Sequence, residues 1–309
     1  MTKRQLGRTD LSFEPLVFGG NVFGWTLEEA DAFKVLDAFL AAGFAAIDTS
    51  DSYGKGKSET ILGNWMKARG NRDQVVVMTK VCSEMNGPDE KGLSARWIAT
   101  EVENSLRRLQ TDRIDLYQSH RPDPDTPQAE TLEAYDRLVK AGKVRWIGAS
   151  NFSAEQHAEA EAIAKAKGEP RYESEQPEYN LYVRERFEGA LQDYAVAQQV
   201  GVIPYFSLAA GFLTGKYRSE ADFGKSPRGA RMARYLDDKG HRILAAMDQV
   251  SAETGAPLAE IALAWLVQQP GVTAPIASAT SLDQLATLTR GVQLTLSPAQ
   301  LSALTAAGK

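Results

Sequence analysis

Short apolar runs alternate with amphipathic stretches along the whole chain, and this alternation constrains the fold more than any other feature. The runs cover residues 16–18, 45–47, 75–78, 114–117, 144–147, 172–174, 202–205 and 272–276. Between them, Ala32, Phe33, Leu36, Phe39 and Leu40 share one helical face, and Ile98, Val102, Leu106 and Leu109 share another. Thr26 with Glu29, Ser153 with Gln156, and Ser281 with Gln284 read as capping boxes at helix starts. Ser297-Pro298 with Gln300 adds proline at a first helical position. Strands that alternate with helices pair in parallel. Eight such units predict an α/β fold, an eight-stranded parallel (β/α)8 barrel of the TIM type, for which ~250 residues is typical. One domain over residues 1–309 is expected. An open doubly wound sheet is the alternative, but its G-x-G-x-x-G turn is missing after the first run, where Gly19-Gly20-Asn21-Val22-Phe23-Gly24 stands. Residues 4–13, with Gly7-Arg8-Thr9-Asp10 as the turn, suggest an amino-terminal β-hairpin suited to plug the barrel's bottom.

Composition excludes several function classes. With 35 Lys+Arg against 40 Asp+Glu the net charge is −5, which opposes a nucleic-acid or anionic-membrane partner. One cysteine, Cys82, precludes an internal disulfide, and three histidines leave little for a metal site, so no metal is expected. The amino terminus is polar with no apolar segment behind it, and the apolar stretch 261–267 is too short to cross a bilayer. A cytoplasmic address is expected. No heptad seam marks an oligomeric state.

In a parallel barrel the reactive residues gather at the carboxyl ends of strands. The second run leads into Asp48-Thr49-Ser50-Asp51-Ser52-Tyr53, the third into Thr79-Lys80 and the fourth into His120. Each residue alone has an ordinary use: a turn aspartate, a solvated lysine, a hydrogen-bonded histidine. Together Asp48, Tyr53, Lys80 and His120 form a proton-transfer device. A free tyrosine has a pKa of ~10, and a lysine within ~4–6 Å is expected to lower it. Asp48 would keep Lys80 charged, and a neutral His120 would hydrogen-bond the substrate oxygen. Such a set protonates an alkoxide as it forms, serving a hydride that a cofactor delivers. Gly54-Lys55-Gly56-Lys57-Ser58 ends like a phosphate-binding P-loop, but Asp51 stands where that motif needs glycine. Cys82 reads as a small buried apolar residue, not a nucleophile.

A long loop, 206–237, follows the seventh run. It carries Lys216, Arg218, Lys225, Arg228, Arg231 and Arg234 against Glu220 and Asp222, which suits an anionic ligand. Gly211 and Gly215 permit close backbone approach. Loops after strands seven and eight, with a helix expected to begin at Ser281 just beyond Ser278 and Thr280, form the usual phosphate site of barrels.

These residues carry a family resemblance. The segments are Ile47-Asp48-Thr49-Ser50-Asp51-Ser52-Tyr53-Gly54 with Ser58-Glu59, then Thr79-Lys80-Val81, and Asp115-Leu116-Tyr117 through His120-Arg121. Gly148-Ala149-Ser150-Asn151-Phe152-Ser153, Glu175-Gln176-Pro177-Glu178-Tyr179-Asn180 and Gly211-Phe212-Leu213-Thr214-Gly215-Lys216-Tyr217 complete the set. The chain resembles the aldo-keto reductases over essentially its whole length. The resemblance implies a reversible NADPH-dependent carbonyl reductase acting on a small-molecule carbonyl or alcohol. It implies Tyr53 as general acid, Lys80 and Asp48 tuning it, and His120 orienting the carbonyl. Ser150, Asn151 and Gln176 would hold the nicotinamide carboxamide, with Tyr205 stacked on the ring. Ser207, Leu208, Gly211, Gly215 and Lys216 would line the pyrophosphate, with Asn21, Phe206, Leu213, Ser278, Thr280 and Gln284 also on the cofactor side. Thr280 replaces an arginine that relatives often use on the 2′-phosphate, so NADH stands open beside NADPH/NADP+, and the basic loop is a substitute anchor. Phe206-Ser207-Leu208 replaces Ser-Pro-Leu, and Leu288 replaces an asparagine. Phe23, Trp25 and Arg121, with Asn21, are candidates for the substrate wall. Two other readings stay open: alcohol oxidation with NADP+ or NAD+, and a regulatory subunit resembling potassium-channel β-subunits. The lack of a long amino-terminal extension able to block a pore counts against the latter.

Overall fold

In a computed structural model that describes residues 2–225 and 229–309, the first two strands, β1 (Arg4–Gln5) and β2 (Ser12–Phe13), pair antiparallel as the expected hairpin. The barrel strands follow: β3 (Val17–Gly19), β4 (Ala46–Asp48), β5 (Val76–Val81), β6 (Ile114–Ser119), β7 (Val144–Ser150), β8 (Ser174–Gln176), β9 (Gly201–Val202) and β10 (Ile276–Ala277). They form one eight-stranded parallel sheet in the order β10-β3-β4-β5-β6-β7-β8-β9. The carbonyl of Val202 accepts from the Thr273 amide at 2.8 Å and that of Pro204 from the Ile276 amide at 2.9 Å, so the last strands meet as well.

Period-two alternation decides what each strand offers to the interior. Val17 is level with Ala46 and Met78 with Leu116, and all four are buried with Leu6, Leu11 and Phe13 of the hairpin. The hairpin therefore fills the bottom of the barrel. Two residues further along each strand come Gly19, Asp48, Lys80 and Gln118, so a polar layer sits directly on the apolar one. The opposite faces, Phe18, Ile47, Val77 and Tyr117, pack against the helices.

The helices are α1 (Glu29–Ala41), α2 (Lys57–Arg69), α3 (Ala95–Leu109), α4 (Gln128–Lys140), α5 (Ala154–Lys167), α6 (Ala190–Ala197), α7 (Asp238–Thr254), α8 (Leu258–Val267), α9 (Leu282–Gly291) and α10 (Pro298–Ala307). α1 buries Leu36 and Phe39, and α3 buries Ile98, Val102, Leu106 and Leu109. Ser153 with Gln156 and Ser297 with Gln300 are full capping boxes. Ser281 accepts from the Gln284 amide, but the Gln284 side chain turns to Thr280, so that box is half made. Thr26 caps nothing. The amides of Trp25, Thr26 and Leu27 all converge on the Val22 carbonyl, and this tight turn places the start of α1 after Glu28, without a side-chain cap. The apolar stretch 261–267 lies in α8, whose residues there are all buried. Among the described residues no single helix is long and apolar enough to cross a membrane.

Candidate active site

The polar layer opens into a cleft of about 830 Å³ at the carboxyl end of the barrel, the end where loops can carry chemistry. Lys80 lies under its floor, fully buried. Its Nζ donates to Asp48 Oδ2 at 2.5 Å, to the Thr49 carbonyl at 2.8 Å and to the Tyr53 phenol oxygen at 3.3 Å. Burial opposes the charge on Lys80, but Asp48 and Tyr53 outweigh it and the amine stays protonated above its ordinary range. The other oxygen of Asp48 accepts from Gln176 Nε2 at 3.0 Å and Gln118 Nε2 at 3.2 Å. Gln118 escaped the sequence reading. Its signal was available, since it lies two positions before His120, which directly follows the strand, and so on the same inward face.

His120 faces Tyr53 edge-on with the ring centres 6.0 Å apart. Burial, then the charges of Lys80 and Arg121, push its pKa down to about 3, so the imidazole is neutral at working pH. The Tyr53 phenol departs from expectation. Lys80 pulls its pKa down, but burial is the larger effect and Asp48 opposes Lys80, so the net direction is up. The cation steadies this phenol without making it acidic.

Asn151, in a left-handed conformation with φ 62°, donates to the His120 carbonyl at 3.2 Å and to Ser150 Oγ at 2.9 Å, and accepts from the Tyr205 hydroxyl at 2.9 Å. Ser150 donates to the Gln176 carbonyl at 2.7 Å. Asn21 is held by Ser278 at 2.8 Å. The cleft runs from Tyr53, His120, Ser150, Asn151, Gln176 and Tyr205 past Phe206, Ser207, Leu208 and Gly211 to Lys216, Ser278, Thr280 and Gln284. Val22, Thr26, Thr287 and Leu288 also line it.

Several expected residues are placed elsewhere. Leu213 is fully buried in the core beneath the loop. Gly215 ends a 3-10 turn at φ 77° and faces Leu258 of α8, where a Cβ would stand 2.6 Å from that side chain. Phe23 is buried against Phe18, ring centres 5.5 Å apart. Trp25, half exposed, and Arg121, whose guanidinium turns to Ser83, lie outside the cleft lining. Of the basic loop, Lys216 and Lys225 reach the cleft, while Arg218 pairs with Asp248 and Arg234 with Glu178. Arg228 lies outside the described residues. Ser58 of the P-loop look-alike is buried and donates to the Gly20 carbonyl at 2.8 Å, so its hydroxyl is already engaged. Burial pushes the Cys82 thiol up to about 11, which suits an inert side chain.

A sequence model of the Aldo/keto reductase family matches residues 15–309. The chain belongs to the aldo/keto reductase family. It is 36% identical over 303 residues to the uncharacterized oxidoreductase YrpG of Bacillus subtilis, covering 94% of this chain and 91% of that protein. It is 38% identical to the aldo-keto reductase YhdN of the same organism, covering 87% and 81%. It is 34% identical to a probable voltage-gated potassium channel subunit beta of Oryza sativa, covering 92% and 89%. The barrel is thus that of an oxidoreductase family whose members typically use nicotinamide cofactors.

Proposed function

We propose that this aldo/keto reductase reduces aldehydes or ketones to alcohols reversibly with NADP(H), Tyr53 being the proton donor. The observation that carries the reading is the Tyr53 hydroxyl 3.3 Å from a buried, Asp48-paired Lys80, in a cleft of about 830 Å³ whose lining runs on to Lys216 and Gln284. The chemistry of the lining fits such a cofactor. Amide and hydroxyl groups of Ser150, Asn151 and Gln176 suit a carboxamide, and the Tyr205 ring offers a stacking face. Lys216, Lys225 and the amino end of α9 suit phosphates. The cofactor, when bound, supplies the hydride.

The chain's own residues do the rest. A carbonyl oxygen placed between Tyr53 and neutral His120 gains negative charge as it is reduced, and the phenol hands over its proton to it. An alkoxide is far more basic than a phenolate, so a phenol with a raised pKa still donates downhill. It also keeps its proton ready at neutral pH. The Lys80 ammonium balances the negative charge left on the phenolate, and Gln118 and Gln176 hold Asp48 so that Lys80 cannot swing away. Mixing the purified chain with NADPH, or NADH, and a reactive aromatic aldehyde should bleach the reduced-cofactor band. No bleaching over a broad carbonyl panel would contradict the reading. The physiological reaction is proposed as reduction, with alcohol oxidation the reverse at the same site.

The Oryza relative supports a second reading, a cofactor-binding regulatory subunit. Co-purification with a membrane partner together with negligible carbonyl turnover would favour it.

A further inference from the structure

Asp51 is a buried carboxyl that the reaction above leaves unused. Its Oδ1 accepts from the Ser50 hydroxyl at 2.8 Å and from the Ser52 amide at 2.6 Å, while its Oδ2 is buried with no hydrogen-bond partner. A bare carboxylate oxygen so placed is costly, and protonation of the carboxyl removes the charge. The neighbours supply little relief. From α2 comes Glu59 and from α3 come Glu101 and Arg108, and Arg108 is bound to both of those glutamates. Lys80 of β5 is bound to Asp48, and Arg121, after β6, is turned to Ser83. Tyr53 and Tyr117 both sense the charge on Asp51. Burial, then Glu59, pushes Asp51 up to about 8.

The same Ser50 hydroxyl stands 3.2 Å from Nδ1 of His120. It has one proton to give. We propose that Asp51, acting through Ser50, selects the tautomer of His120: the neutral carboxyl leaves His120 with its proton on Nε2, and ionisation withdraws that donor. With Asp51 neutral, its own carboxyl proton occupies the 2.8 Å contact to the Ser50 oxygen, so Ser50 donates to Nδ1 and Nε2 carries the hydrogen offered to the substrate oxygen. When Asp51 loses its proton to solvent, the carboxylate takes the Ser50 hydrogen bond. The Ser50 oxygen then accepts from Nδ1–H. The imidazole gives up one proton at Nε2 and takes one at Nδ1, so one proton in all is lost. Ser83, 3.4 Å from Nδ1, is the competing donor. Asp51 is a positioning residue here. The consequence for turnover rests on the reductase reading, while the tautomer shift does not.

The test is ¹⁵N NMR of the histidine ring nitrogens in the full chain without cofactor, from about pH 6 to about pH 10, a range in which His120 stays neutral. His120→Gln assigns the signals. The expected result is Nε2–H at the low end, crossing to Nδ1–H near pH 8. Both Asp51→Asn and Ser50→Ala should abolish the crossover, so either variant suffices if the other fails to fold. The pH profile of carbonyl reduction, each protein scaled to its own plateau, should show a fall near pH 8 that Asp51→Asn lacks. A tautomer constant with pH in the unaltered chain, or a crossover that survives both substitutions, overturns the proposal. A crossover abolished by both, without any carbonyl turnover, supports the switch and contradicts the reductase reading alone.

Discussion

The Tyr53 phenol oxygen stands 3.3 Å from the Lys80 ammonium, and that nitrogen is also 4.9 Å from the centre of the phenol ring. The contact is as close as a proton-donating pair needs, yet burial outweighs it and the phenol holds its proton more firmly than free tyrosine does.

One consequence concerns pH. Carbonyl reduction needs the phenol protonated, so ionisation of Tyr53 limits it only above the ordinary phenol value of ~10. Alcohol oxidation needs the phenolate. In Asp51→Asn, where the His120 switch is silent, its rate is expected to climb about tenfold per pH unit through the mildly alkaline range, without a plateau near 9, as for one ionisation whose pKa lies higher. Initial rates of oxidation across buffers check this, and a plateau at neutral pH contradicts it.

The Lys80–Asp48 pair is sealed from water, the two side chains being 0% and 2% exposed. Lys80→Met leaves a buried carboxylate unpaired and should cost about 3–5 kcal/mol. The double variant Lys80→Met/Asp48→Asn should lose clearly less than the sum of the two single changes. Urea unfolding midpoints for the four proteins measure the difference.

At the other end of the barrel, Phe13 is 1% exposed within the hairpin plug. Phe13→Ala should destabilise the chain by about 3–5 kcal/mol. Because the plug sits below the apolar layer, turnover per folded molecule should change little. A variant as stable as the parent would show that the hairpin does not seal the bottom.

Thr280 lines the end of the cleft proposed for the phosphates, its amide and hydroxyl both directed at Gln284. Thr280→Arg adds a guanidinium where a 2′-phosphate is expected. NADPH binding should tighten relative to NADH by about tenfold, or 1.4 kcal/mol. Fluorescence titrations with both cofactors measure the ratio, and an unchanged ratio contradicts this placement of the phosphate.

The barrel was legible because its signal is local and repeated: eight short runs, each followed by a helical pattern, leave few topologies. The rim set was legible for the same reason, since Asp48, Lys80 and His120 each fall at or just after a strand end. What stayed hidden depends on distances through space. Gln118 reads as one more strand residue until register places it beside Lys80 and its amide reaches Asp48. The direction of the Tyr53 shift is a balance between burial and a cation, and sequence shows only the cation. Thr26 matches a capping pattern, but three amides gathered on Val22 take the chain elsewhere. Leu213 and Gly215 sit in a glycine-bearing loop that suggests a phosphate, whereas its turn sends one into the core and the other against α8.

The most direct measurement compares Tyr53→Phe with the unaltered chain under single turnover, enzyme in excess, with NADPH and an aromatic aldehyde, alongside a cofactor binding titration. The account predicts a loss of at least about a hundredfold in hydride transfer, the scale of a missing general acid, with cofactor affinity within about twofold, since uniform binding is left in place. Hydride transfer at the parent rate in the phenylalanine variant would contradict it.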